Sequence, residues 1–159
     1  MPSMSARVFV DTNVLVYWRD ASEPAKQKRA QEWLEWLWER SAGRISLQVL
    51  QEYYVTVTRK LDVSLPVAEA RDDVRTFMSW NPPSPGLELF ERAWSLQERL
   101  SLSWWDAMVV ASGLEQGSDF LLSEDLQAGQ NIDGMLVVNP FATLPAALFP
   151  SFPPPRPGG

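Results

Sequence analysis

Apolar residues recur along this chain in two different rhythms. Val8-Phe9-Val10, Phe120-Leu121-Leu122 and Met135-Leu136-Val137-Val138 are short unbroken runs, and runs this brief, rich in Val, Leu and Phe, read as buried strands. Elsewhere the apolar positions return every three or four residues. Over Pro24–Arg40, Ala30, Trp33, Leu34, Leu37 and Trp38 follow helical spacing, and Pro24 occupies a first-turn position that a helix tolerates. The same rhythm predicts helices over 48–60, 66–80, Leu87–Leu100 and 103–116, the last ending at Gly117. Residues 45–47 read as one more brief strand, and NPPSPG at 81–86 breaks the chain between two helices.

Short strands alternating with helices predict an α/β domain: a short, mostly parallel central sheet flanked by helices. The chain has 159 residues, enough for one domain with a real core, expected over 5–147. Residues 148–159 include PSFPPPRPGG, which cannot build a core and is expected to be extended and flexible. No apolar run reaches the roughly 18 residues of a membrane span. The first residues also lack the basic-then-apolar pattern of a signal peptide, so a cytoplasmic protein without membrane attachment is expected.

Two absences narrow the chemistry. The chain has no cysteine and no histidine, which excludes disulfides, thiolate metal sites and nucleophile systems built on histidine. Catalysis near neutral pH would then fall to carboxylates, hydroxyls, Lys and Arg, and oxygen ligands select hard cations such as Mg²⁺ or Mn²⁺. Neither the phosphate loop G-x-x-x-x-G-K-[ST] nor the dinucleotide fingerprint G-x-G-x-x-G is present. The net charge of −6 argues against nucleic-acid binding through a broad basic surface.

The acids divide by position. Asp11 follows the first strand directly and Asp125 follows FLLSE. Ligands of parallel sheets sit beyond the carboxyl ends of strands, so these two side chains have a route to one crevice; each is equally a helix cap or turn residue. Asp106 lies between Val109 and Val110 on the helical projection, above Gly113, where an unpaired carboxylate is costly; Ser103-Trp104-Trp105-Asp106 also fits a capping box. Glu52 points the other way. It lies opposite the expected apolar stripe Leu47, Leu50, Tyr54, Val57, Leu61, beside Gln48, Thr56 and Arg59, and periodicity reads it as a surface acid.

Four segments in order, VDTNVLVY, SLQVLQEYYVTVTRK, LSWWDAMVVASGLEQGSDFLLSEDLQAG and VVNPF, resemble PIN domains, specifically the VapC-like toxin ribonucleases of type II toxin–antitoxin pairs. The resemblance spans about residues 7–141. It implies a PIN-like three-layer fold and a Mg²⁺- or Mn²⁺-dependent endoribonuclease that leaves 5′-phosphate and 3′-hydroxyl ends. It also implies a cognate antitoxin and a homodimer. By position it makes Asp11, Glu52, Asp106 and Asp125 the metal-site and catalytic acids, overriding the surface reading of Glu52. Thr12, Asn13 and Ser123 match polar positions that support those acids.

Contacts to RNA are expected from Lys26, Lys28 and Arg29 at one helix start and from Arg59 and Lys60 at another helix end. Trp105 is placed to stack a base, while Trp104 reads as core. Two other readings fit the same resemblance. One is a non-catalytic binding module of PIN fold, with Trp33 and Trp36 presented to a partner. The other is a structure-specific DNA nuclease.

Overall fold

The computed structural model describes residues 6–149. Five strands form one sheet in the order β2-β1-β3-β5-β4, with β1 at Val8–Val10, β2 at Gly43–Arg44, β3 at Phe120–Leu122, β4 at Asn131–Ile132 and β5 at Met135–Val138. All pairings are parallel except the edge hairpin of β4 with β5. Val8, Phe9 and Val10 are each 0% exposed. A strand buried on both faces needs cover from helices on both sides of its sheet, and seven provide it: α1 Thr12–Arg19, α2 Pro24–Arg40, α3 Leu47–Arg59, α4 Val67–Phe77, α5 Leu87–Leu100, α6 Trp104–Glu115 and α7 Pro145–Leu148. This is the expected α/β, PIN-like architecture.

Local signals explain where these elements begin. Ser46 Oγ accepts from Val49 N at 3.1 Å and caps α3, so the strand expected over 45–47 gives way to a helix start, and the sheet pairing falls earlier, on Gly43–Arg44. Trp80 packs its indole onto Gly43, where a Cβ would stand 2.4 Å from the ring. Ser103 Oγ accepts from Asp106 N at 3.1 Å and caps α6. That helix lies close on the sheet because Gly113 has no side chain: a Cβ there would meet Met135 Sδ at 2.8 Å.

Two further expectations change. On α3 the buried residues are Val49, Leu50, Tyr53 and Val57, so Tyr53 rather than Tyr54 faces the core. Trp33 and Trp36 are not presented to a partner. Trp33 is 0% exposed, and its Nε1 donates to the carbonyls of Thr143 and Pro140 at 2.8 and 3.1 Å. Trp36 stacks on Phe149 with ring centroids 4.5 Å apart. Core packing therefore extends to Phe149, while residues 150–159, the bulk of the segment expected to be flexible, lie outside the described residues.

A buried polar knot ties three helices together. Asp73 of α4 receives Arg19 Nε at 2.9 Å and Nη2 at 2.6 Å from the end of α1, and Tyr53 of α3 donates its hydroxyl to Asp73 Oδ2 at 2.5 Å. Burial first, and then the adjacent Asp73, push the Tyr53 phenol far above its ordinary pKa, so it remains a neutral donor. Removing Asp73 leaves the buried Tyr53 hydroxyl without its acceptor and Arg19, a third exposed, without its ion-pair partner. Asp73→Ala is therefore expected to lower unfolding free energy by roughly 3 kcal/mol, and Tyr53→Phe by about 1 kcal/mol, measured by urea denaturation. Loss of less than half these amounts would mean the knot is not structural.

Candidate active site

β1 and β3 run side by side in register, with Val10 opposite Leu122, so the next residue of each, Asp11 and Ser123, emerges at the same end of the sheet. β1 is also the strand from which the chain departs toward β2 on one flank while β3 lies on the other, the kind of switch point where parallel sheets open a crevice. Asp11 is 6% exposed and Ser123 is 0% exposed. Asp11 caps α1, with Oδ1 accepting from Thr12 N at 2.7 Å. Its Oδ2 accepts from Ser123 Oγ at 2.8 Å. The two readings of Asp11 left open by the sequence, cap and crevice acid, thus hold together.

Asn13 joins this pair to a third side chain. Its Nδ2 lies 3.4 Å from Asp11 Oδ2 and 3.1 Å from Asp125 Oδ2, and its Oδ1 accepts from Glu124 N. Ser123 Oγ accepts from Asp125 N at 3.1 Å, fixing the turn that carries Asp125. From the other side, Thr12 Oγ1 donates to Glu52 Oε2 at 2.9 Å. Gln48 Nε2 donates to Glu52 Oε1 at 3.1 Å and approaches the Trp105 carbonyl at 3.5 Å. Thr12, Asn13, Glu52 and Asp125 line a cavity of about 660 Å³, together with Gln48, Thr56 and Trp105. Glu52 is half-buried at this crevice, so the polar face of α3 that periodicity assigned to solvent borders it instead.

Asp106 is not part of this hydrogen-bond network. It is half-buried in the first turn of α6, and its carboxylate makes no hydrogen bond or ion pair among the described residues. Only its neighbour Trp105 reaches the network. Asp11, Asp125 and Glu52 are thus linked through Asn13, Ser123 and Thr12, whereas Asp106 is not.

The electrostatics centre on Asp11. Burial pushes its carboxyl up from 3.8 to about 6; hydrogen bonds from Ser123 and Thr12 oppose the rise, and the charges of Asp125 and Glu52 add to it. An oxygen-only donor set of this kind suits Mg²⁺ or Mn²⁺, and a cation would reverse the like-charge penalty. Among the described residues no three acids form a ready-made metal cage. The Asn13 amide lies between Asp11 and Asp125, a weak neutral donor where two carboxylates face each other. The oxygen donors are of the type a hard divalent ion takes, while among the described residues they are not gathered into a cage.

The expected RNA contacts scatter. Lys26 is paired with Glu124 and lies 4.6 Å from the Tyr17 ring centroid, which anchors the loop beside Asp125. Arg29 pairs with Glu32 on its own helix. Lys28 and Arg59 are exposed and outside the crevice lining. Lys60 and Trp105 do line it, and Trp105 is 62% exposed. Gln48, Gln51 and Glu124 also line the crevice. Sequence pattern singled out none of these three, although Gln48 precedes Glu52 by one helical turn.

A model of the PIN domain matches residues 8–130, well over half of the chain, and no curated protein matches it.

The Asp11 shift has a measurable consequence. Between pH 4 and 6 the native state holds a proton that the unfolded chain releases, so native stability falls as pH rises through that window, and the cost is complete above about 6. In EDTA at pH 7.5, Asp11→Asn is expected to raise unfolding free energy by up to about 3 kcal/mol, the gain disappearing below pH 4. A stability difference between variant and wild type that does not change between pH 4 and 7.5 would show that Asp11 is not strained by burial.

Proposed function

The chain belongs to the PIN domain family, and from that premise we propose that it is a metal-dependent endoribonuclease of the VapC-like toxin kind. PIN domains are generally nucleases. The observation that carries the finer reading is the hydrogen-bonded network that ties buried Asp11 to Asp125 and Glu52 on the crevice wall, with no basic side chain hydrogen-bonded to any of the three among the described residues. A buried acid with only acidic charges nearby is poor structural design and good cation design.

In this reading Asp11 and Asp125 hold Mg²⁺ or Mn²⁺, with Glu52 and the internally unpaired Asp106 as further donors. The ion, when bound, lowers the pKa of water and neutralises charge on the phosphoryl oxygens. The protein's own groups do the rest. Ser123 and the Thr12 N–H fix the Asp11 carboxylate in one orientation. Thr12 orients Glu52 through Oε2, leaving this carboxylate at the crevice wall to accept a proton from the attacking water. Asn13 sets the approach of the Asp125 loop to Asp11. A cognate antitoxin that silences the crevice, and a homodimer, belong to the same proposal.

Purified protein incubated with single-stranded RNA and Mn²⁺ is expected to release fragments with 5′-phosphate and 3′-hydroxyl ends. EDTA should abolish the reaction, and Asp11→Asn or Asp125→Asn should slow it by about 100-fold or more, equivalent to roughly 2.7 kcal/mol of barrier. Equal activity in Asp11→Asn and wild type, or cyclic-phosphate ends formed without metal, would refute the proposal.

A further inference from the structure

The acid crevice is one end of a longer trough. Gln48, Gln51 and Trp105 line both the crevice and a second hollow of about 300 Å³. Pro83, Glu115 and Gln116 in turn line both that hollow and a third, of about 770 Å³. The shared residues follow α6 from its first turn at Trp105 to its end at Glu115 and Gln116. At a rise of 1.5 Å per residue this is roughly 16 Å, room for about five nucleotides at the ~3.4 Å spacing of a stacked strand.

The walls change character along the way. Beside the crevice, Trp105 is 62% exposed, and the second hollow adds Phe90 and Trp104, whose rings lie 6.0 Å apart. Exposed aromatic faces in a groove suit unpaired bases, because every base has a π-face. At the far end stand Arg7, which immediately precedes β1, and Arg44 of β2. Arg7 Nη1 donates to the Gln116 carbonyl at 3.1 Å, and Arg44 Nη1 donates to the Gly43 and Ser41 carbonyls at 2.8 and 3.2 Å. Backbone carbonyls aim both guanidiniums, yet neither is paired with a carboxylate among the described residues. Glu115, exposed on the shared wall, pairs with neither. Burial, and then the charge of Arg7, lower the Arg44 pKa, a strain that a bound anion would relieve.

Resting on the nuclease reading of the crevice, we infer that this trough holds a single-stranded RNA segment, with bases against Trp105 and its aromatic neighbours and backbone phosphates at Arg7 and Arg44. A negatively charged protein can then bind RNA through two aimed guanidiniums and stacking rather than a broad basic surface. The strand would enter the crevice beside Trp105, next to Asp106.

Binding of a fluorescein-labelled single-stranded RNA decamer in EDTA, followed by anisotropy over a range of salt, tests this. Arg7→Gln/Arg44→Gln is expected to weaken binding at least tenfold and to flatten the slope of log K against log salt by about 1.4, at ~0.7 for each phosphate no longer neutralised. The Lys pair at the same positions should restore the slope. Trp105→Ala should weaken binding by roughly 5- to 150-fold. Crosslinking of a 4-thiouridine decamer to wild type needs no variant to fold, and is expected to mark Phe90, Trp104 or Trp105. A folded Gln variant with the wild-type slope, or crosslinks confined to another face, would overturn the trough even if Mn²⁺-dependent cleavage persists. Crosslinks along the trough of a chain that cleaves nothing would keep the trough and remove the nuclease.

Discussion

The parallel pairing of β1 with β3 is the constraint from which the crevice follows. Because Val10 stands opposite Leu122, the residues leaving the two strands are neighbours although 112 positions separate them in sequence. The Ser123 hydroxyl then meets the Asp11 carboxylate, and the turn after it brings Asp125 within reach of Asn13. A one-residue slip would exchange the faces of each strand, and Phe9 and Leu121, both fully buried, would have to repack against the helices of the opposite layer. Hydrophobic burial of these short strands therefore fixes the geometry of the polar site.

The molecule handles its charges in two ways. Where a charge serves packing it is neutralised by a partner: Asp73 holds Arg19 and Tyr53 in the interior, and Lys26 holds Glu124 at the half-buried crevice wall. At the two ends of α6 it is not. Asp11 is buried with acids for neighbours, and the guanidiniums of Arg7 and Arg44 are held by carbonyls, with no carboxylate paired to either among the described residues. Unpaired charge near low-dielectric walls has a strong field and a desolvation cost already met by the fold. In the proposed function a cation at one end and a phosphate at the other would take up these charges.

Periodicity worked where one neighbour decides burial and failed where several do. α2 and α5 have the predicted bounds, and β1, β3 and β5 coincide with their apolar runs. α3 packs against both α1 and α4, so its buried side is set by two partners and turns from Tyr54 to Tyr53, while the polar side that carries Glu52 closes over the crevice. Trp33 and Trp36 looked available for a partner, yet the chain returns at Pro140, Thr143 and Phe149 to cover them. α1, β4 and α7 are short, below the length at which a 3.6- or 2-residue rhythm is readable.

By itself the sequence determined an α/β domain with a parallel sheet, because short apolar runs and helical stripes are local patterns. It also restricted any metal chemistry to oxygen ligands, because histidine and cysteine are missing. Only the tertiary structure decided which polar groups meet. It joined Asp11, Asp125 and Glu52 through Asn13, Ser123 and Thr12, left Asp106 outside that network, and placed Arg7 beside Arg44. These encounters depend on strand order and on helix packing between distant segments, and no local spacing encodes them.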